Sequence, residues 1–300
     1  MSRLLIYVML PLLIICTLIA ARFVSWDSLK GENPDALRAV AEGTALLQQS
    51  SGNYQRAADA FTRAIEKDPK YAAAYIKRGL AYYRLEAYSK AIADYTQTLD
   101  LRRYTADAYY SRGDAHRALG DYQKAIADYT ASLKKRWAGF VTWKRAEVYL
   151  EMGDTQRALM DYAAVIERKP NAAAYYYRGK AYRRLDENRL ALADFDKAIE
   201  ISPMFAEAYL SRGEIYDRLD QLQRAASDYL KVVELSSREI HEWGGDDSIL
   251  GPVYSRRAQA YERLGRNGEA HTDYEKVIAL QPGSTLAQEA TARLNLEVRE

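Results

Sequence analysis

Apolar and small positions recur along this chain at helical spacing. A small residue returns at Gly79, Gly113, Ala146, Gly179, Gly213 and Ala258, in steps of 34, 33, 33, 34 and 45 residues. Four residues earlier stands Tyr75, Tyr109, Tyr175, Tyr209 or Tyr254, with Thr142 the exception. Three residues later comes Tyr82, His116, Tyr149, Tyr182, Tyr216 or Tyr261. Positions i, i+4 and i+7 share one face of a helix. A turn follows, clearest at Gly120–Asp121, Gly153–Asp154 and Gly265, and then a second helix. It carries alanine at Ala91, Ala125, Ala158, Ala191, Ala225 and Ala270. Four residues further on it carries Tyr95, Tyr129, Tyr162, Phe195, Tyr229 or Tyr274. Pro69, Pro170, Pro203 and Pro282 end several second helices, because a proline ring disfavours helix in the residue before it. A period near 34 predicts stacked helical hairpins, each unable to bury both its faces alone.

An extra first copy fits Gly43, Leu46, Gly52-Asn53-Tyr54, Ala57, Phe61, Ala64 and Pro69, with two more residues in its turn. The expected organisation is a hydrophobic segment over 1–25, a polar linker over 26–36, seven repeats over 37–283 and a capping helix over 284–300. Eleven extra residues between Gly213 and Ala258 fall within 236–252. There His241, Trp243, Asp246 and Asp247 are expected in a long loop, a candidate contact site.

The N-terminal stretch Leu4 to Ala21 is 18 residues without charge, flanked by Arg3 and Arg22. As a helix it would extend roughly 27 Å, near the lower limit for a bilayer core. It predicts a single-pass membrane anchor with the repeats on the extracytoplasmic side. Two alternatives stand beside it. Arg22, Lys30 and Arg38 favour cytoplasmic repeats under the positive-inside rule, and a signal peptide cut near Ala20–Ala21 would release a secreted protein.

Composition narrows the function classes. Forty-three basic against 41 acidic residues show no basic excess of the kind nucleic-acid phosphates attract, so no nucleic-acid partner is expected. Cys16 is the one cysteine and forbids an intramolecular disulfide. His116, His241 and His271 lack metal-ligand spacing, and no Gly-rich phosphate loop is present. Neither a metal nor another cofactor, nor an enzymatic role, is expected.

The repeated spacing resembles the tetratricopeptide repeat family over about 250 residues. The resemblance implies an all-α, right-handed superhelical solenoid of antiparallel helix pairs, preceded here by one hydrophobic helix. It also implies a concave groove lined by the first helix of each pair. Carried over, the groove candidates are Ile76, Leu80, Tyr83, Arg84, Tyr110, Asp114, Arg117, Phe140, Trp143, Glu147, Tyr176, Lys180, Arg183 and Arg184. Aromatics beside guanidinium groups suit an extended or helical protein segment with apolar and acidic side chains. Packing between repeats is the competing role for Trp143 and Tyr176. The asparagines of the family's carboxylate-clamping members are absent at matching positions such as Leu80 and Ser111. The implied function is a membrane-tethered scaffold or adaptor; the alternative is a structural protein that associates with its own copies.

One correlation is internal to the chain. Arg78, Arg112, Arg145, Arg178, Arg212 and Arg257 precede the small residue in six repeats, and Asp94, Asp128, Asp161, Asp194, Asp228 and Asp273 precede the second-helix aromatic in the same six. Repeat one has neither, carrying Glu42 and Ala60. Joint presence and joint absence predict a ladder of ion pairs, each Arg to its own repeat's Asp or to an adjacent one. A row of arginines for anionic ligands is the functional alternative.

Overall fold

The apolar-periodic stretches are helical in the structure, a computed structural model that describes residues 33–49, 53–243 and 247–297. Among the described residues there are fifteen α-helices and no strand. They are α1 (Pro34–Gln48), α2 (Tyr54–Lys67), α3 (Ala72–Arg84), α4 (Tyr88–Asp100), α5 (Thr105–Ala118), α6 (Tyr122–Lys135), α7 (Gly139–Glu151), α8 (Thr155–Arg168), α9 (Ala172–Arg184), α10 (Asn188–Ile201), α11 (Ala206–Arg218), α12 (Leu222–Trp243), α13 (Asp247–Arg263), α14 (Asn267–Leu280) and α15 (Thr285–Glu297). The chain divides into two compact units, Met1–Trp137 and Ala138–Glu300. In the first, α1/α2, α3/α4 and α5/α6 form hairpins, and α2 stacks on α3 and α4 on α5. In the second, α7/α8, α9/α10, α11/α12 and α13/α14 do the same, and α15 packs on α14 and α13.

Close approach within a hairpin depends on the small residue. At Gly79 an added Cβ would lie 2.6 Å from Cε1 of Tyr95, so the ring rests directly on the bare backbone. Repeats four and seven place Ala146 and Ala258 in that register, both fully buried. The rings at Tyr95, Tyr129, Tyr162, Phe195, Tyr229 and Tyr274 are buried and fill each hairpin. Truncating such a ring costs about 3–5 kcal/mol through lost transfer energy and the cavity left behind. The connecting turns share one left-handed residue: Gly120, Gly153 and Gly265 adopt it freely, and Glu86, Asp186 and Asp220 hold the same positive φ near 58°.

Two boundaries differ from expectation. The linker assigned to 26–36 ends early, because α1 begins at Pro34. The Asn33 side chain accepts from the Asp35 backbone N–H at 2.9 Å, Pro34 occupies the first helical turn and Ala36 is fully buried. An asparagine cap followed by proline is a strong start signal. The loop expected within 236–252 is largely helix instead. Its residues lengthen α12 to 22 residues and α13 to 17. The extension is amphipathic, burying Leu235 and Ser236 on α12 and Leu250 and Val253 on α13, which gives the added turns something to pack. The segments expected at 1–25, with the hydrophobic helix, lie outside the described residues. Among the described residues no helix is long and apolar enough to cross a membrane.

Candidate partner-binding groove

In the first unit, α3 and α5 run side by side and bring five of the groove candidates, with Ser111, around one recess. Leu80, Tyr83 and Arg84 from α3 face Tyr110, Ser111 and Asp114 from α5, with Tyr95 behind, around a concavity of about 210 Å³. That is below the roughly 300–1,000 Å³ of small-molecule sites and suits a single inserted side chain. Leu80 is 40% exposed on its wall. The Tyr83 ring meets Tyr88 edge-on at 5.4 Å, and Tyr110 tilts against Tyr129 at 6.2 Å, so both phenols are braced from behind. Asp114 Oδ1 accepts from the Tyr129 hydroxyl at 2.6 Å. Burial, then the Asp114 charge, raises the Tyr83 phenol above its ordinary value, while Arg117 and Arg84 pull it back. Arg84 is exposed and forms no ion pair or hydrogen bond with any described residue. The site therefore combines an apolar recess, one wall carboxylate and a free guanidinium at its rim. Ile76, on the same helix, packs against the hairpin core.

The corresponding helices of the second unit behave differently. Tyr176, expected in the groove, is 8% exposed. Its ring lies 4.9 Å from Phe205 and 5.9 Å from Phe195, and burial pushes its phenol up to about 12. The second helix of the same repeat carries Phe195 and the connection after it carries Phe205, so the ring is drawn into packing. Trp143 is half-buried at 4.3 Å from Tyr177 and 5.7 Å from Tyr162, and its Nε1–H donates to Glu147 Oε1 at 3.1 Å. It too joins neighbouring repeats more than it lines a groove. Phe140, in the first turn of α7, is 55% exposed. Arg183 pairs with Glu214 of α11, and Arg184 Nη1 donates to the Leu150 carbonyl at 3.1 Å. Lys180 lies over the Tyr176 and Tyr177 rings at 5.5 and 5.7 Å.

The expected loop site does not form as a loop. His241 is exposed in the last turn of α12, which ends at Trp243; Asp247 opens α13, and Asp246 lies outside the described residues. Among the described residues no group of three His, Cys, Asp or Glu side chains is placed to hold a metal ion.

The six arginines each make a two-pronged contact with the aspartate of their own repeat. Arg78 Nε and Nη2 donate to Asp94 at 2.8 Å each, and Arg112 does the same to Asp128. Arg145–Asp161, Arg178–Asp194, Arg212–Asp228 and Arg257–Asp273 repeat the geometry at 2.6–2.9 Å. The fork to Asp94 raises the Arg78 guanidinium above its ordinary value, against burial that lowers it. These arginines face structure, not ligand. In Arg78, Arg112, Arg212 and Arg257 the third nitrogen also reaches the previous repeat. Arg78 Nη1 donates to Thr62, Arg112 Nη1 to Thr96 and Arg257 Nη1 to Ser237, each at 3.0 Å, and Arg212 Nη1 donates to Asp196 at 2.7 Å. This second rung was missed, although its signal was available: Thr62, Thr96 and Asp196 stand two residues after the second-helix Ala60, Asp94 and Asp194. Arg256 was missed as well. It is buried among Ser236, Glu207 and Glu239, tying α13 to α11 and α12 through the inserted turns.

The sequence model of the tetratricopeptide repeat matches residues 40–104, 78–139, 144–203, 179–239 and 251–284, well over half of the chain. The protein belongs to the tetratricopeptide repeat family. A tetratricopeptide repeat protein from Parabacteroides merdae superposes with a TM-score of 0.63 at 16% identity, covering 86% of this chain and 98% of that one. The C-terminal part of a repeat-containing protein from Cytophaga hutchinsonii gives 0.59 at 18% identity, over 84% and 98%. MamA from Desulfovibrio magneticus, from its residue 41 to the end, gives 0.51 at 25% identity, over 56% and 96%. Mouse neutrophil cytosol factor 2 is 50% identical over 42 residues, which is 14% of this chain and 8% of that protein. Tetratricopeptide repeat proteins generally act as scaffolds for protein–protein interaction.

Proposed function

We propose that this protein is a non-enzymatic adaptor whose α3/α5 groove binds a segment of a partner protein. The observation that carries the reading is the recess between Leu80, Tyr83 and Tyr110 beside the unpaired Arg84. An apolar side chain entering the recess displaces water from rigid, braced rings, which is how aromatic and arginine anchors dominate interfaces. An acidic residue next to it meets Arg84, whose guanidinium otherwise stays solvated. Asp114 rejects a second carboxylate inside the recess through like-charge repulsion, so the acid belongs at the rim. Tyr176 and Trp143, packed against neighbouring rings, contribute to this function by holding neighbouring repeats in register.

We further propose that residues 4–21 tether the repeats to a membrane, with the repeats exported. The support is the uncharged run of 18 apolar residues and the short basic start before it. Retention of the full-length protein in the membrane pellet after alkaline carbonate extraction is the expected result. Release into the supernatant would exclude the tether.

A photo-crosslinking residue at Leu80 in the full-length protein tests the groove. The expected outcome is capture of one recurrent foreign protein through a segment carrying apolar and acidic residues. A synthetic peptide of that segment should bind about tenfold or more weakly to Arg84→Glu, a change of ~1.4 kcal/mol or greater. Capture of the protein's own copies alone would replace the adaptor reading with self-assembly.

A further inference from the structure

Along one edge of the first unit, the C-terminus of each second helix meets the N-terminus of the next first helix. Several such connections in the chain are punctuated by proline, at Pro69, Pro170, Pro203 and Pro282. The one between α4 and α5 is not. It reads Leu101-Arg102-Arg103-Tyr104, and Arg102 and Tyr104 hold positive φ values of 52° and 48°. A bulky side chain in that region is a strained choice and marks a position worth explaining. Tyr104 is 52% exposed there, so packing does not explain it. The next connection lies alongside. Ser132 of α6 donates to the Ala106 carbonyl at 2.7 Å, and Arg136 pairs with Asp107, both in the first turn of α5. Lys134, Lys135 and the 38% exposed Trp137 thus join Arg102, Arg103 and Tyr104 on one surface. Five cations stand there against two acids, Asp100 and Asp107, and Arg136 takes the second. The side chains of Arg102, Arg103, Lys134 and Lys135 are exposed and form no ion pair or hydrogen bond with any described residue. By contrast, connections 202–205 and 281–284 of the second unit carry no charge. The chain also enters the first unit at this edge: the Asn33 side-chain amide donates to the Lys67 carbonyl, at the end of α2, at 3.4 Å. Eleven residues separate Asn33 from the apolar run 4–21, a span of at most about 40 Å.

We propose that this edge, through Arg102, Arg103, Tyr104, Lys134, Lys135 and Trp137, docks on the anionic headgroups of the membrane that holds residues 4–21. The proposal deepens the tether reading and rests on it. Lysine and arginine are drawn to an anionic headgroup layer, and tyrosine and tryptophan favour the same interface because each has an apolar body and a polar tip. The contact does not have to be strong by itself. A tether makes docking intramolecular, so a few exposed charges act at high effective concentration. The arrangement leaves the partner groove clear. Leu80, Tyr83 and Arg84 stand in the last turns of α3, roughly 12–18 Å along the helix from its first residue at the edge. Docking therefore holds the recess at a set height above the bilayer, open to a partner.

The test reconstitutes the full-length protein, carrying Cys16→Ala, into vesicles of phosphatidylcholine alone or mixed with phosphatidylglycerol. A polarity-sensitive nitrobenzoxadiazole label is attached through Tyr104→Cys. A second preparation carries it through Gln123→Cys, at the start of α6 and on the opposite edge. The label at 104 should brighten and shift to shorter wavelength only with phosphatidylglycerol. Salt at about 1 M, where charges interact only within ~3 Å, should reverse the change. The label at 123 should not respond. Arg102→Glu, Arg103→Glu and Lys134→Glu together should abolish the response at 104 with helicity unchanged. Equal emission in the two lipids, an equal response at 123, or a response that survives the triple reversal would each overturn the proposal. Should Tyr104→Cys fail to fold, Lys135→Cys carries the same label on the neighbouring connection. Protein that resists carbonate extraction but shows no response at 104 removes this inference alone. Protein released by carbonate that still responds to phosphatidylglycerol vesicles removes the tether alone.

Discussion

The first helices of the two units share one repeat plan and put it to different uses. In the first unit α3 and α5 leave a recess between Leu80, Tyr83 and Tyr110, with Arg84 unpaired at its rim. In the second unit the corresponding residues of α9 are taken up by packing and pairing: Tyr176 is buried against Phe195 and Phe205, and Arg183 is tied to Glu214. The difference arises from neighbours. Tyr176 has Phe205 in the following connection to pack on, and Arg183 has an acid on the adjacent helix. An aromatic or an arginine at a groove register is available to a partner only when the next repeat does not claim it.

The largest test of that contrast is Tyr176→Ala. Removing this buried ring should lower stability by about 3–5 kcal/mol in urea unfolding, whereas Tyr83→Ala should change it by less than about 1 kcal/mol and weaken partner binding. Equal effects of the two variants would erase the distinction between a packed and an open groove.

The ladder offers a second comparison, inside the second unit. Asp194→Ala leaves the mostly buried Arg178 without a carboxylate, and should cost about 3 kcal/mol by the same measurement. Asp228→Ala should cost less, because Arg212 keeps Asp196 of the previous repeat at 2.7 Å. By contrast the exposed Arg63–Glu42 pair of repeat one should contribute about 0–1 kcal/mol.

Glu214→Gln sharpens the contrast between the units by releasing Arg183. Stability should fall by about 0.5–1 kcal/mol, and an acidic peptide such as acetyl-Asp-Glu-Asp-Glu-amide should bind more tightly, as the second unit gains a free guanidinium like that of Arg84. An unchanged affinity would show that pairing is not what silences Arg183.

The smallest effect concerns one register position. His116 stands in the first unit where Tyr182 and Tyr216 stand in the second, and its ring lies 3.6 Å from Asp121 and 3.9 Å from Asp128. Burial lowers its imidazole below the ordinary value of 6.5, with Lys124 and Arg112 assisting and the two aspartates opposing. The unfolded chain therefore takes up the proton more readily than the folded one. The neutral ring's stabilising contribution is present above pH 6.5 and is lost as pH falls through the lowered folded value. His116→Tyr should flatten this part of the stability profile, which urea unfolding across that window would detect.

Much of the architecture was legible in the sequence because each repeat restates the same local rules. Gly79 and Tyr95 specify a close helix pair, and the Arg–Asp correlation specified a contact whose partner choice the structure decides as intra-repeat. The insertion was misjudged because a length anomaly has no sign. Eleven extra residues can make a loop or added turns, and Leu235, Leu250 and Val253 turn them into buried helix. Site residues were legible only as registers. Tyr110 and Tyr176 occupy the same register, three residues before Gly113 and Gly179, and their separation depends on what lies about 5–6 Å away in another element.

The sequence by itself determined the repeat period, the helix pairs, the small-residue contacts and the charges available for a ladder, because these depend on spacings within one repeat or between successive repeats about 34 residues apart. Tertiary structure decided which aromatics stay open, which cations stay unpaired and how the insertion is absorbed. Those outcomes are set by competition between neighbouring repeats for the same rings and charges, and a one-dimensional pattern does not record who wins.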